Sequence, residues 1–467
     1  MAYKDIASLS AADKAALVTA LVGAGLVGGL SSAAGIETLS ALKRTFDSAA
    51  RSGPRILAPH PTAAVAVGSA TDTTLGPVIN GAASNVLNSN FVDRFNFYGC
   101  KGPVAVGGNF VAGPVGRIPA PYTGTSGFST IASTSNGNVT QQDFQWTWSV
   151  ETHVEGGTIE FQTWGASFRW AFVLVDDRYV GDFTTGFAPA SGSNQAVYLK
   201  VTGIPDGARV RLVLSGESAA ANMAYLLSAR VAPLGSFWKP APGALKMAVQ
   251  GDSFSIGFGP QSASITQNVS ARAVAPFPIV MADYLGIKDV RQMGLGSTGL
   301  VANANGAAGN ARELIAMWKD QAPFDLIVDT HGFNDRNEPA TNGDVAYQDV
   351  VLDNLAKLRA FHAGPIVVLG SQIGARGATD ANTLRVEEAK RVAVQRAADK
   401  LIAFAPVAKA VPPYTDGSGR EGATTGAGNS DVAIGTDGTH PNLRGARLLG
   451  MRAAKSVRDA VNAMLAA

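Results

Sequence analysis

The hydrophobic pattern of the sequence changes near residue 240, and this change constrains the fold more than any other feature. Between about residues 91 and 235, apolar and polar residues alternate, as in FQWTWSV (144–150) and FRWAFVL (168–174). A period of two is typical of antiparallel strands with one buried face. After Pro240, short apolar runs take turns with longer helical patterns. That rhythm predicts a parallel sheet with helices on both faces.

The length supports a chain of several parts. At 467 residues it exceeds the roughly 250–300 residues at which a single core stops growing. We expect an N-terminal helical arm (1–50), a linker (51–90), an antiparallel, jelly-roll-like β-sandwich (91–238) and an α/β domain (239–467). Within the last part the patterns predict strands at 245–250, 288–293, 325–330 and 364–370, and helices at 275–286, 308–319, 346–362, 382–404 and after Pro441.

The N-terminal arm has two interpretations. Residues 15–36 contain no charged side chain, as in a signal peptide or a membrane anchor. However, five glycines dilute this run, and both acidic and basic residues precede it. These features favour a packing helix, through which copies of the chain could form a homo-oligomer.

Charge and cysteine content exclude several function classes. The net charge is +2 and 16% of the residues are charged, so we expect no nucleic-acid partner. The single cysteine, Cys100, excludes an internal disulfide and a cysteine-based metal site. No group of histidines has the spacing of metal ligands. We therefore expect neither a metal nor another cofactor.

A serine and a histidine stand out as a candidate catalytic pair. Ser253 follows directly after the strand predicted at 245–250, and a serine nucleophile needs a base within hydrogen-bond reach. Among the five histidines, His440 has an aspartate, Asp437, three residues before it. That spacing on a turn lets the carboxylate bond one ring nitrogen and leaves the other for Ser253. His331, a rival base, has no acid at this spacing.

Three blocks in this order resemble the SGNH (GDSL-type) hydrolase family: Gly251-Asp252-Ser253, Gly332-Phe333-Asn334-Asp335 and Asp437-Gly438-Thr439-His440. The resemblance covers about residues 243–460. It implies a three-layer α/β/α fold and a metal-free esterase, lipase or carbohydrate deacetylase. It also implies that Ser253, His440 and Asp437 form the triad.

The same resemblance implies an oxyanion hole. Its donors would be the Asn334 side chain, the Ser253 amide and an amide of Gly296 or Ser297. An Asx-turn is the structural alternative for Asn334. Asp252 and Asp335 are expected to hold loops.

The expected function is that of a serine esterase that removes O-acetyl groups from a polysaccharide. The arm, linker and sandwich fit a modular extracellular or virion-borne protein, such as a phage tail-associated deacetylase, although a cytoplasmic location stays open. One alternative is a lipase or general carboxylesterase. Another is a non-catalytic tail or adhesion protein that uses the hydrolase fold as a scaffold.

Overall fold

A computed structural model describes the chain in segments. These are residues 31–52, 60–76, 78–80, 93–99, 104–106, 109–111, 119–122, 128–130, 147–165, 170–180, 195–215, 225–243, 245–257, 276–294, 296–302, 310–319, 322–371 and 380–466. Cys100 and most of the uncharged stretch 15–36 lie outside them. None of the described helices is both long and apolar enough to cross a membrane.

The first described element is the helix α1 (Ser31–Ser52). Short strands follow it: β1 (Ala64–Gly68), β2 (Val78–Asn80), β3 (Asn96–Tyr98), β4 (Val104–Val106), β5 (Asn109–Val111), β6 (Pro119–Tyr122), β7 (Phe128–Thr130), β8 (Thr147–Glu155), β9 (Thr158–Gly165), β10 (Trp170–Val175), β11 (Arg178–Tyr179), β12 (Gln195–Thr202), β13 (Ala208–Ser215), β14 (Tyr225–Val231) and β15 (Ser236–Trp238).

Most of these strands form two antiparallel sheets. The first has the order β1-β12-β9-β14-β2, and the second has the order β11-β10-β13-β8-β15, with β3 also paired to β8. Phe161 and Val201 of the first sheet share one hydrophobic cluster with Val150 and Leu212 of the second. The period-two pattern therefore predicted the antiparallel pairing and the shared core.

The predicted linker contributes to the first sheet. Ala64 to Gly68 pair with Thr202 to Tyr198, so β1 is an edge strand of the sheet. Val78 to Asn80 pair with β14 at its other edge. An edge strand has a hydrogen-bonded neighbour on one side only. The side chains of β1 are mostly exposed, so burial imposes no alternation on this segment and the sequence did not predict the strand.

The α/β part contains the strands β16 (Lys246–Gly251), β17 (Asp289–Gly294), β18 (Leu326–Asp329), β19 (Ile366–Leu369) and β20 (Ile402–Ala405). Its helices are α2 (Ser253–Ile256), α3 (Phe277–Leu285), α4 (Ala311–Trp318), α5 (Glu338–Asn342), α6 (Asp344–Arg359), α7 (Ala381–Ala397), α8 (Ser430–Ala433) and α9 (Leu443–Ala466).

The five strands are parallel and have the order β17-β16-β18-β19-β20. A hydrophobic cluster covers each face. Met247 and Val249 pack with α1, α3 and α9 on one face, whereas Ala248 and Ile327 pack with α4, α6 and α7 on the other. The predicted three-layer α/β/α arrangement is confirmed. β17 and β18, the next two strands along the chain, pair on opposite sides of β16. The strand order reverses there, and in parallel sheets ligands bind beyond the carboxyl ends of the strands at such a point.

One predicted helix is too long. The helix expected at 382–404 ends at Ala397, and residues 402–405 form β20 instead. Ala398 ends the helix in the left-handed region, with φ 50°. The Asp399 carboxylate then accepts the amide of Leu401 at 2.8 Å. No glycine or proline marks this end in the sequence.

The described part of the N-terminal arm belongs to the α/β core. Leu39, Leu42 and Phe46 of α1 are fully buried and share a cluster with Met247 and Val457. This described part of the arm packs within the chain, whereas the run expected to pack against partner copies, residues 15–36, lies mostly outside the described residues. Part of the predicted arm thus belongs to the α/β core, whereas the core between the two antiparallel sheets is a separate cluster.

Polar contacts join the antiparallel sheets to the α/β layers. Arg211 of β13 and Asp283 of α3 form an ion pair at 2.6 Å, with side chains only 6% and 7% exposed. Lys288 pairs with Glu151 of β8. The Gly99 amide donates to Asp289 at 2.9 Å. A buried pair of this kind fixes geometry more than it adds stability.

Candidate active site

Ser253 lies at the carboxyl end of β16, where the strand turns sharply into α2. Asp252 caps this one-turn helix, because its carboxylate accepts the amide of Phe254 at 3.0 Å. A Cβ atom on Gly251 would lie 2.2 Å from Ser255 Oγ and 2.3 Å from Thr330 Oγ1. Only glycine therefore fits before the turn. The turn leaves Ser253 8% exposed at the sheet edge.

His440 comes to Ser253 from the far end of the chain. Its Nε2 lies 2.9 Å from Ser253 Oγ, and its Nδ1 lies 2.6 Å from Asp437 Oδ2. The other oxygen of Asp437 accepts the amides of Thr439 at 2.8 Å and His440 at 3.0 Å. The turn passes through Gly438 with φ 76°. Asp437 thus holds both the backbone and the ring of His440.

The surroundings of Asp437 favour the ionised form of its carboxyl group. Partial burial raises the pKa of Asp437, but hydrogen bonds from the His440 ring and from two backbone amides outweigh it and bring the pKa below its usual value. An ionised Asp437 accepts a hydrogen bond from the Nδ1–H group of His440 and leaves Nε2 as an acceptor for the serine hydroxyl. This is the geometry that general-base activation of a serine requires.

Asn334 follows β18 and faces the same edge. Its side-chain NH₂ group donates to the Thr298 carbonyl at 2.8 Å and lies 3.4 Å from Asp252 Oδ2. The first contact is a good hydrogen bond, whereas the second is long. The protein therefore holds one proton of this amide well and the other weakly, and the role of Asn334 as an oxyanion donor stays a prediction.

The loop that contains Gly296 and Ser297 lies beside Asn334. Thr298, the acceptor of the Asn334 amide, comes directly after Ser297 in this loop. Ser297 is exposed and has φ 64°, and a Cβ atom on Gly296 would lie 3.9 Å from Ile256 Cδ1 of α2. The assignment of an oxyanion amide to Gly296 or Ser297 stays a prediction.

Asp335 and Asp252 hold backbone, as expected. Asp335 accepts the amides of Leu300, Val301 and Ala302 at 2.6, 3.1 and 2.9 Å, as well as the Tyr347 hydroxyl at 3.1 Å. It therefore fixes the loop that reaches Asn334. Burial raises the pKa of Asp252 to about 6, although His331, the Phe254 amide and His440 oppose this rise.

The structure also shows a second aspartate–histidine pair, which the sequence did not reveal. His331 Nδ1 lies 2.8 Å from Asp329 Oδ1, and both side chains are 1% exposed. Lys390 of α7 donates to the His331 carbonyl and lies 3.5 Å from Asp329 Oδ2. The expectation that His331 has no paired acid is wrong, because the acid stands two residues before it.

Two phenylalanines border the candidate triad. The ring of Phe254 lies 5.1 Å from the His440 ring and 5.1 Å from the Phe333 ring. Arg336 lies over Phe333, with its guanidinium carbon 4.6 Å from the ring centroid. Among the described residues, no group of three or more histidine, cysteine, aspartate or glutamate side chains could hold a metal ion.

Comparisons with known proteins give matches at the level of structure. No family profile matches the chain, and no curated protein matches it in sequence. A family two carbohydrate esterase from Cellvibrio japonicus is 14% identical, with 86% of this chain and 99% of that one covered and a TM-score of 0.51. An acetyl xylan esterase from the rumen bacterium Butyrivibrio proteoclasticus is 14% identical, with 79% and 97% covered and a TM-score of 0.50.

A third similar structure is a salicylyl-acyltransferase from a tetracycline biosynthetic pathway. It is 13% identical, with 83% of this chain and 98% of that one covered and a TM-score of 0.51. At such identities the likeness concerns the fold. It confirms the fold that the resemblance to SGNH-type hydrolases implied, and it extends beyond the α/β part.

Proposed function

We propose that the protein is a serine esterase that removes short acyl groups, acetyl above all, from a polysaccharide. One observation carries the proposal. Asp437, His440 and Ser253 form a continuous hydrogen-bonded chain, with distances of 2.6 and 2.9 Å, at the carboxyl edge of the parallel sheet. That chain combines a nucleophile, a base and a group that orients the base.

In the proposed reaction, Ser253 Oγ attacks the acyl carbon while His440 Nε2 takes its proton. Asp437 stabilises the imidazolium that forms. The Asn334 amide, the Ser253 amide and an amide of the 296–297 segment donate to the oxyanion, each worth about 3–4 kcal/mol in comparable sites. His440 then protonates the departing sugar oxygen, and a water molecule releases the acid from Ser253 by the same steps.

Support for a glycan substrate comes from the similar structures and from the surface. Two of the similar proteins are named as esterases of carbohydrates. At the edge of the second antiparallel sheet, Trp238 is 38% exposed and stacks on His153 with a centroid distance of 5.3 Å. Such a ring is a platform on which a sugar could stack. An extracellular or virion-borne location, with the antiparallel sheets as an accessory substrate-binding part, belongs to this proposal.

The direct test is Ser253→Ala, assayed on a short-chain aryl acetate. We expect no measurable turnover and an unchanged circular dichroism spectrum. Ser371→Ala is the matched control, because Ser371 also follows a parallel strand and its buried hydroxyl has no hydrogen-bond partner among the described residues. It should keep full activity. A Ser253→Ala variant within tenfold of wild type would remove Ser253 from the mechanism.

The substrate class needs its own assays. Acetate release from a panel of acetylated polysaccharides, with purified wild type, identifies the glycan. A lipase would prefer long acyl chains, so hydrolysis rates across aryl esters of increasing chain length separate it from a deacetylase. A non-catalytic scaffold would not react with a serine-directed phosphonate, whereas the proposed enzyme should be labelled at Ser253.

A further inference from the structure

A buried glutamine connects the nucleophile turn to the antiparallel sheets. Gln292 of β17 is 0% exposed. Its side-chain NH₂ group donates to the Ser255 carbonyl in α2 at 2.8 Å. Its side-chain oxygen accepts the backbone amide of Thr147, the first residue of β8, at 3.2 Å. One side chain thus joins the helix that carries Ser253 to an inner strand of the second antiparallel sheet.

We infer that Gln292 is a positioning residue for Ser253, and that through it the antiparallel sheets help to set the nucleophile. This inference rests on the proposed esterase function. The helix α2 is a single turn, so it has few internal bonds with which to keep its place. The Gly257 amide bonds the carbonyls of Ser253 and Phe254, and Gln292 bonds that of Ser255.

The packing around α2 supports this role. A Cβ atom on Gly294 would lie 2.6 Å from Ser255 Oγ and 2.8 Å from Ile256 Cγ2. The turn therefore lies directly against the end of β17, and a change at Gln292 is transmitted to it without an intervening layer. Because Ser253 must stay 2.9 Å from His440 Nε2, a displacement of about 1 Å can cost roughly 100-fold in rate.

The link to Thr147 gives the antiparallel sheets a part in catalysis. Thr147 lies at the start of β8, opposite Ser215 of β13. Its backbone amide donates a hydrogen bond out of the sheet, to the side chain of Gln292. The Gln292 side chain is thereby held by α2 on one side and by β8 on the other. The antiparallel sheets would then affect turnover of a small ester that never touches them.

The test compares Gln292→Met with Gln250→Met. Gln250 is also buried, at 1% exposure, and lies on the neighbouring strand β16, but its amide donates to the Ala311 carbonyl at 3.2 Å, away from α2. We expect Gln292→Met to lower kcat on an aryl acetate and the phosphonylation rate about tenfold to a hundredfold, with KM within about threefold. Gln250→Met should lose similar thermal stability and keep kcat within about threefold.

A second variant tests the connection itself. Thr147→Pro removes the amide that donates to Gln292, at the first residue of a strand, where proline is tolerated. It should lower kcat about threefold to tenfold, and the Gln292→Met/Thr147→Pro double variant should fall no further than Gln292→Met alone. Additive losses would overturn the link, and equal kcat values for Gln292→Met and Gln250→Met would overturn the positioning role. A wild-type protein without esterase activity would instead refute the proposed function.

Discussion

Two regions at the same edge of the parallel sheet each contain an aspartate–histidine pair, and they differ in solvation and in partners. In the loop before α9, Asp437 and His440 form the outer pair, with side chains 32% and 14% exposed. After β18, Asp329 and His331 form the inner pair, with side chains 1% exposed. The outer pair meets the serine Ser253, and the inner pair meets the cation Lys390.

The difference shows that a histidine paired with an aspartate does not by that pairing alone become a catalytic general base. His440 has Nδ1 on a carboxylate and Nε2 on a hydroxyl at the sheet edge, so Nε2 can take the hydroxyl proton and return it while Nδ1 stays bonded to Asp437. Around the inner pair, Lys390 lowers the pKa of Asp329 against the effect of burial, together with the hydrogen bond from His331. We therefore interpret the inner pair as structural support for the block that carries Asn334.

The sharpest way to break this comparison is to replace each histidine. His440→Gln should lower kcat by about 10⁴–10⁶ because the base is lost, with the unfolding midpoint unchanged. His331→Gln should lower the unfolding midpoint, with a much smaller loss of kcat. The measurement is turnover of an aryl acetate beside thermal unfolding. If His331→Gln were the dead variant, the two roles would have to be exchanged.

The next largest effect concerns the acids. Asp437→Asn keeps the size of the side chain but presents an NH₂ group where the His440 ring needs an acceptor, so kcat should fall by up to ~10⁴ with KM little changed. Asp329→Asn should cost stability and little kcat. Steady-state kinetics of both variants, with Asp335→Asn as a third, decides the matter. Full activity of Asp437→Asn beside a dead Asp335→Asn would give the orienting role to Asp335.

The free energy of unfolding tests the structural role of the inner pair. Lys390→Met removes the cation from the buried carboxylate of Asp329 and should lower the free energy of unfolding by about 3–5 kcal/mol. Lys455→Met is the control, since Lys455 pairs with Asp459 at the surface with 77% of its side chain exposed. It should have little effect. Denaturant unfolding of both variants provides the numbers, and equal midpoints would show that the inner pair is dispensable.

Asp252 lies near both histidines and makes stability depend on pH. Its pKa is raised from 3.8 to about 6 in the folded chain, so the folded state binds the proton more tightly. Stability from this group is then fully present below about pH 4 and is lost as the pH rises through about 6, a difference of about 3 kcal/mol. Asp252→Asn should remove that dependence. Unfolding curves from pH 4 to 8 test it, and parallel profiles for both proteins would contradict it.

The smallest expected effect is none. Among the described residues, no group of three or more histidine, cysteine, aspartate or glutamate side chains has an arrangement that could hold a metal ion, so EDTA should leave esterase activity unchanged. A loss of activity that zinc or another divalent cation restores would point to a metal-dependent deacetylase. In that case the outer pair would be reinterpreted as metal ligands.

Local motifs made most of the candidate site predictable. Ser253 and Asn334 each follow an apolar strand, and Asp437 stands three residues before His440 on one turn, so short stretches of sequence contain their geometry. The parallel sheet was predictable for the same reason, because each strand–helix unit is visible by itself.

Long-range partners were not predictable. Lys390 reaches His331 across 59 residues, and Gln292 reaches Thr147 across 145 residues. No local pattern distinguishes a lysine or glutamine that will be buried from one on the surface. A helical arm was predicted from the sequence, but the sequence could not show that Leu39, Leu42 and Phe46 pack against the α/β layers of the same chain.

The place of α1 has a consequence for how the chain is made. Leu42 and Phe46 pack in one cluster with Leu449 and Val457 of α9, about four hundred positions further along. During translation, a ribosome delivers α1 long before its partner. The apolar face of the nascent helix must stay uncovered, or be shielded by a chaperone, until α9 leaves the exit tunnel. This layer is therefore completed long after α1 is synthesised, and contacts of such separation form slowly.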